Sequence, residues 1–127
     1  MRCLLDTQIA LWLFENDDKL SDNAKSNILN PANQCFFSVV SLWEVALKMN
    51  IGKYKFPGGF PALRQLVDDN YFEVIPIKDQ HMNGLFALPF HHRDPFDRLI
   101  IATALTENLA LITSDVEIQK YSVKWLF

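Results

Sequence analysis

Short apolar runs of strand length alternate with stretches of helical period along nearly the whole chain. The run QCFFSVV, rich in aromatic and β-branched residues, is typical of a buried strand. We predict strands at residues 2–6, 34–40, 71–77, 109–113 and 122–127, and helices at residues 7–16, 21–30, 41–53, 78–90 and 95–107, with one more inside 54–70. Strands separated by helices predict an α/β sandwich with a mainly parallel central sheet.

The global composition is that of one folded unit. A length of 127 residues suits a single domain, so we treat residues 1–127 as one unit. Half of the residues are hydrophobic and 21% are charged, which argues against disorder. No apolar run approaches the roughly 18 residues of a membrane span, and no Cys-x-x-Cys motif occurs. We therefore expect a cytoplasmic protein with no membrane segment, in which Cys3 and Cys35 are reduced core residues.

Acidic residues stand where the predicted strands end or the helices begin. Asp6 ends the first strand, and Asp115 closes the strand LALIT. Glu44 falls in the first turn of the helix after the second strand, while Asp94 and Asp97 open the long helix near the end of the chain. Parallel sheets build their sites beyond the carboxyl ends of the strands, so we expect most of these acids at one sheet edge.

Helix capping is the ordinary explanation for each acid taken singly. Asp6 and Asp115 fit N-cap positions, and the segment SLWE at residues 41–44 fits a capping box. Asp94 directly before Pro95 is a strong N-cap signature. As a set the acids exceed this need, because Ser or Thr would cap as well and clustered carboxylates repel unless a cation joins them. Oxygen ligands favour Mg²⁺ or Mn²⁺ over zinc.

Several segments, in chain order, resemble the signatures of the PIN domain, in particular its VapC-like toxin branch: LLDT, SVVSLWEVALKMNIGK, LPFHHRDPFDRLIIATA and LITSD. The resemblance runs over nearly the whole chain, and HRDPFDRLIIA is its most specific part. It implies a three-layer α/β/α fold and a metal-dependent ribonuclease paired with an antitoxin, with a homodimer expected. The acidic ligands of the family correspond to Asp6, Glu44, Asp97 and Asp115, and Asp94 is an additional acid.

Hydrolysis of RNA would use these four acids as catalytic ligands of one or two Mg²⁺ or Mn²⁺ ions. The ions neutralise the phosphodiester and supply hydroxide near neutral pH, and the expected products carry 5′-phosphate and 3′-hydroxyl ends. We expect Thr7, Ser41 and Asp94 to orient the ligands through hydrogen bonds. For the two hydroxyls, helix capping is an equally good explanation.

Basic residues near the acids are candidate RNA contacts. Arg93, Arg98 and Lys48 are placed to hold phosphates of the substrate. An ordinary ion pair is the alternative for Arg98, which follows Asp94 by four residues. The net charge of −3 argues against a nucleic-acid partner, but acids that hold metal should be left out of that count.

Other function classes fit the sequence less well. A haloacid-dehalogenase-type phosphatase needs a second aspartate where Gln8 stands, and a response-regulator receiver needs two acids near Asp6. A metal-free ribonuclease could use His91 and His92, but it leaves the acids unexplained. The main alternative is a domain of the same fold that binds RNA or protein without cutting it.

Overall fold

One or two helices separate each strand from the next along the chain, as the apolar pattern predicts. The computed structural model describes residues 1–127, and its elements in chain order are β1 (Arg2–Leu5), α1 (Thr7–Glu15), α2 (Asp22–Leu29), β2 (Gln34–Ser38), α3 (Val39–Asn50), α4 (Gly59–Asp69), β3 (Glu73–Ile75), α5 (Asp79–Leu85), α6 (Pro95–Thr106), β4 (Ala110–Ile112), α7 (Val116–Gln119) and β5 (Trp125–Leu126).

The strands form one sheet in the order β3-β2-β1-β4-β5, and every pair is parallel. The expectation of a mainly parallel sheet is confirmed. The strand order reverses between β1 and β4, where Cys3 pairs with Ala110. In open parallel sheets a crevice forms at such a switch point beyond the carboxyl ends of the strands. Asp6 and Asp115 follow these two strands, so both reach that crevice.

Two hydrophobic cores lie on opposite faces of the sheet, which makes the fold three-layered. Alternate residues of β1 enter different cores, Leu4 on one face and Leu5 on the other, as the pleat of a strand requires. Helices α5, α6 and α7 pack in the core of Leu4, whereas α1, α2 and α4 pack in or against the core of Leu5. No helix in residues 1–127 has the length and apolar character needed to cross a membrane.

The boundary between β2 and α3 differs from the prediction. We expected the strand to include Val39 and Val40, but the Ser38 hydroxyl accepts the N–H of Val40 and starts the helix at Val39. Capping therefore ends the strand before its β-branched residues, and Val40 packs in the core as a helical residue. As a result Glu44 lies in the second turn of α3, and SLWE forms no capping box.

The two cysteines are free and buried, as expected. Cys3 of β1 is the register partner of Cys35 of β2. Burial raises the pKa of both thiols, to about 11 for Cys35. Thiols with raised pKa values stay protonated and unreactive, so these residues act as small core side chains.

Candidate active site

Asp6 directly follows β1, the central strand of the sheet. It occupies the N-cap position of α1, but its side chain makes no capping hydrogen bond. Instead its Oδ2 accepts a hydrogen bond of 2.9 Å from the hydroxyl of Thr113. Asp6 is only 6% exposed, and burial followed by repulsion from Asp97 raises its pKa to about 7. Helix capping therefore does not explain this carboxylate.

Glu44 projects from α3 and is also nearly buried. Its Oε2 lies 3.2 Å from Nζ of Lys48, one helical turn further on. Its Oε1 is buried and has no hydrogen-bond partner. A buried carboxylate oxygen without a partner is destabilising by about 1–3 kcal/mol. The fold therefore keeps this oxygen buried although no group of the protein donates a hydrogen bond to it.

Asp94 and Asp97 stand at the start of α6. Asp94 caps the helix, since its Oδ1 accepts the N–H of Asp97 at 2.9 Å. Burial raises the pKa of Asp97 to about 6, and repulsion from Asp94, Asp115 and Glu44 adds to the rise. A hydrogen bond of 3.0 Å between Nε2 of His92 and Oδ2 of Asp97 opposes the shift.

Asp115 follows β4 and caps the short helix α7. Its Oδ1 accepts the N–H of Glu117 at 2.9 Å. Its own N–H donates to the hydroxyl of Thr113 at 3.1 Å, and that same hydroxyl donates to Asp6. Thr113 thus ties two acids together, and our sequence reasoning missed it. The signal was a hydroxyl residue at the end of a buried strand, two positions before an acid.

A chain of hydrogen bonds runs from Arg98 through Tyr121 and His92 to Asp97. Arg98 donates to the hydroxyl of Tyr121 at 3.0 Å, and that hydroxyl lies 2.8 Å from Nδ1 of His92. When the tyrosine donates to Nδ1, Nε2 of His92 carries the proton and donates to Asp97. This chain orients the carboxylate through His92, which the sequence suggested only as a candidate for metal-free catalysis. Tyr121 lies beyond every motif, so nothing in the sequence marked it.

The acids meet in one polar cleft of about 300 Å³. The residues that line it include Asp6, Thr7, Gln8, Glu44, Lys48, Asp94, Asp97 and Asp115. The hydroxyl of Thr7 donates to that of Ser41 at 2.7 Å, a buried bond that joins the start of α1 to α3, the helix of Glu44. All five acids that the sequence singled out therefore line the same cleft.

The donor set suits a hard divalent cation. Its members are carboxylate oxygens, one of them unpaired and buried. Burial, reinforced by repulsion between the carboxylates, raises the pKa values of Asp6 and Asp97. No group of three acidic, histidine or cysteine side chains stands at the spacing of a formed metal site. Side-chain rotation would be needed for the carboxylates to hold an ion together.

The three basic residues that we expected to contact RNA have different environments. Lys48 lines the cleft beside Glu44, and Arg93 is exposed and forms no ion pair. Arg98 is only 6% exposed. Its guanidinium donates to the carbonyl of Pro89 and to Tyr121 rather than pairing with Asp94. Arg98 therefore has a structural environment, and the exposed positive charges are those of Arg93 and Lys48.

Comparisons with known proteins identify the family and the fold. The family model of the PIN domain matches residues 3–124. VapBC2 from Rickettsia felis, bound to a DNA fragment from its promoter, is 18% identical with a TM-score of 0.76 and covers 99% of this chain and 98% of that chain. VapBC-1 from nontypeable Haemophilus influenzae is 22% identical with a TM-score of 0.71, covering 99% and 97%.

A further structure belongs to VapBC-5 from Mycobacterium tuberculosis, described as a member of the VapBC family of toxin-antitoxin systems. It is 22% identical with a TM-score of 0.64, and the match covers 94% of this chain and 89% of that chain. At identities this low, structural similarity establishes the fold alone. No curated protein sequence matches the chain.

Proposed function

The chain belongs to the PIN domain family, and from that premise we propose that it is a metal-dependent endoribonuclease, the cytoplasmic toxin of a toxin-antitoxin pair. PIN domains are generally nucleases that use divalent metals. The substrate would be RNA, cut to leave 5′-phosphate and 3′-hydroxyl ends.

One observation carries the proposal: Asp6, Glu44, Asp97 and Asp115 converge on one cleft although they are far apart in the chain. Capping accounts for Asp115, but neither Asp6 nor Glu44 makes a capping bond. Concentrating carboxylates in a half-buried cleft raises pKa values and lowers stability, which a purely structural edge has no reason to do.

The chain's own residues would divide the work. Asp6 and Asp97 would be the central ligands of Mg²⁺ or Mn²⁺, with Glu44 and Asp115 as further ligands or as groups that position the attacking water. The bound metal supplies charge neutralisation at the phosphate and activation of water. Thr113 and His92 hold two of the carboxylates in orientation by the hydrogen bonds described above.

Lys48 and Arg93 supply positive charge beside the acids of the cleft. Arg93 is exposed beside the start of α6, and the side chain of Lys48 is 49% exposed at the rim of the cleft. Both can reach phosphates that flank the scissile one, since phosphate contacts position a nucleic acid without reading its sequence.

An antitoxin partner follows from the same proposal, and the VapBC names of similar structures support it. The cleft carries excess negative charge, so the inhibitor would present a basic side chain to Asp6 and Asp97. That contact would occupy the position of the metal and would lower the raised pKa values of both carboxylates.

We also propose a homodimer that uses the exposed face of α3. Val39, Trp43, Leu47 and Ile51 recur every four residues and are all exposed. Trp43 is 56% exposed and contacts the edge of Phe96, which extends the apolar face onto α6. A twofold axis on such a stripe buries it against its own copy. Light scattering of wild type and of Trp43→Glu tests this, with a monomeric variant expected.

Cleavage of a labelled pool of structured RNAs tests the nuclease function. Wild type, Asp97→Asn and the control Asp22→Asn are compared in Mg²⁺, Mn²⁺ and EDTA, and the chemical nature of the new ends is determined. Asp22 is a matched control because it is an exposed acid in the first turn of α2, outside the cleft.

We expect cutting only with metal, new 5′-phosphates, loss of activity in Asp97→Asn and retention in Asp22→Asn. Folded protein, free of inhibitor, that cuts no RNA under any of these conditions would contradict the proposal. It would favour the alternative of a binding domain without catalysis, with which the lack of a formed three-ligand group also agrees.

A further inference from the structure

The connection between α5 and α6 exposes two phenylalanine rings to solvent. Phe86 is 91% exposed and Phe90 is 72% exposed, unlike most aromatic side chains of the protein. They belong to a pocket of about 450 Å³, here called the aromatic–arginine pocket, that is lined by Leu85, Phe86, Phe90, Arg93, Pro95 and Arg98. Its size lies in the range of ligand pockets, roughly 300–1,000 Å³.

A buried cation fixes the position of Phe90 in advance. The guanidinium carbon of Arg98 lies 3.9 Å from the centre of the Phe90 ring. Arg98 itself is held by hydrogen bonds to the carbonyl of Pro89 and the hydroxyl of Tyr121, at 2.8 and 3.0 Å. The ring is therefore packed on a rigid base while most of its surface stays open to solvent. Such preorganisation reduces the entropy that a ligand must remove on binding.

The charge of the pocket selects the kind of ligand. No acidic residue lines it, and Arg93 is exposed and forms no ion pair. The guanidinium carbon of Arg93 lies 5.8 Å from the centre of the Phe90 ring. A ligand that combines a flat aromatic group with a negative charge uses both features. An apolar peptide segment would leave the charge of Arg93 without a partner.

The pocket and the acidic cleft flank the same turn of protein. Pro95 and Arg98 of α6 line the pocket, whereas Asp97 of the same turn lines the cleft. The hydrogen-bonded chain through Tyr121 and His92 connects Arg98 to Asp97. The pocket is therefore one helical turn away from any phosphate that lies in the cleft.

We propose that the aromatic–arginine pocket binds an unpaired base of the RNA substrate next to the phosphate that is cut. The base stacks on Phe90 and Phe86, and Arg93 contacts a flanking phosphate. This inference rests on the proposed ribonuclease function and gives that site a preference for single-stranded nucleotides.

Binding without cleavage tests the pocket. A fluorescein-labelled single-stranded RNA of about 12 nucleotides is titrated in EDTA at fixed salt, with fluorescence anisotropy as the readout. Wild type is compared with Phe90→Ala, with Phe90→Trp, which keeps an aromatic face, and with Tyr71→Ala. Tyr71 is a matched control because it is 92% exposed and precedes β3, at the opposite edge of the sheet. Circular dichroism verifies that each variant is folded.

We expect Phe90→Ala to weaken binding by about 5- to 100-fold, Phe90→Trp to retain most of the affinity and Tyr71→Ala to bind like wild type. An abasic RNA of the same length should bind wild type and Phe90→Ala equally, since no base remains to stack. The inference is overturned if Phe90→Ala binds RNA as well as wild type, if Tyr71→Ala loses as much, or if wild type does not bind. Intact RNA affinity with loss of a protein partner in Phe90→Ala would assign the pocket to that protein instead.

The two proposals fail in distinguishable ways. Wild type that cuts RNA with Mg²⁺ while Phe90→Ala retains the same RNA affinity and the same kcat/KM upholds the nuclease and overturns the pocket. Phe90-dependent RNA binding without cleavage in any metal upholds the pocket as a base-binding site and overturns the nuclease.

Discussion

The two ends of α6 hold ionisable side chains in opposite ways. At its start, burial and repulsion between carboxylates raise the pKa of Asp97 to about 6, and Asp6 across the cleft reaches about 7. Just after its end, Glu107 has a lowered pKa, chiefly because His81 donates to it at 2.7 Å. Lys78, 3.7 Å away, adds positive charge.

The two regions differ in whether their buried polar atoms all have hydrogen-bond partners. His81 is fully buried, yet both of its ring nitrogens have partners, because the N–H of Lys78 donates to Nδ1 and leaves the proton of Nε2 for Glu107. In the cleft, Oε1 of Glu44 has no partner at all. Charges that are paired within the chain stabilise the fold, whereas buried carboxylates that repel one another destabilise it.

The largest expected effect is that of neutralising the cleft. Asp6→Asn should lower the RNA cleavage rate by about a hundredfold or more, since even partners outside the ligand set cost 10–100-fold. The same change should raise the free energy of unfolding near pH 8 in EDTA, because it removes a buried, repelled charge. Cleavage rates and urea denaturation measure the two effects. If the Asp6→Asn variant cleaves RNA at the wild-type rate, Asp6 is not part of the catalytic site.

Substitutions near the end of α6, at His81 and Glu107, should lower the free energy of unfolding rather than raise it. His81→Ala should lower the free energy of unfolding by about 2–4 kcal/mol, because it leaves a cavity and removes the main partner of Glu107. Urea denaturation measures the loss, and Glu107→Gln, which keeps the shape, should cost about 1 kcal/mol. Cleavage by folded His81→Ala should equal wild type. A selective loss of cleavage would mean that the two ends are coupled.

The free energy of unfolding should depend on pH through the acids of the cleft and through Glu107. Because the pKa values of Asp6 and Asp97 are raised, the stability that these groups contribute is fully present below about pH 4. It is lost as pH rises through 6 to 7. The lowered pKa of Glu107 contributes stability above its unfolded value of about 4.5, which is lost as pH falls through the folded value.

In EDTA the free energy of unfolding should therefore fall by roughly 4 kcal/mol between about pH 5 and pH 8, with a decline at acid pH from Glu107. Thermal melts across this range measure it. Asp6→Asn should flatten the decline above pH 5, and added Mg²⁺ should restore stability at pH 8. Stability that rises from pH 5 to pH 8 would contradict the repulsion inferred in the cleft.

The smallest expected effect is at the hydrogen-bonded chain behind Asp97. Tyr121→Phe removes the hydroxyl between Arg98 and His92, so the orientation of Asp97 becomes less defined. The Mg²⁺ concentration for half-maximal cleavage should rise by about tenfold. A metal titration of the cleavage rate measures this, and Tyr71→Phe, an exposed tyrosine, is the control. An unchanged metal dependence would limit Tyr121 to supporting the fold.

Much of the fold was readable because its signals are local. Asp94 before Pro95 marked the start of α6, and Ser21 marked that of α2, as the structure confirms. The start of α3 was misread because two helix-starting hydroxyls, Ser38 and Ser41, lie three residues apart in an apolar segment, and only packing decides between them. Residues 114–121, to which we assigned no strand or helix, contain the short helix α7.

By itself, the sequence determined the layered α/β fold and singled out the acids that line the cleft, because apolar periodicity and residue type are properties of a local segment. The tertiary structure alone decided that Oε1 of Glu44 lacks a partner and that Arg98 is buried beneath Phe90. It also decided that Thr113 bonds to Asp6 and Asp115 and that Tyr121 orients Asp97 through His92. Hydrogen bonding, burial and repulsion depend on distances between segments that are remote in the chain, and those distances exist only once the sheet has formed.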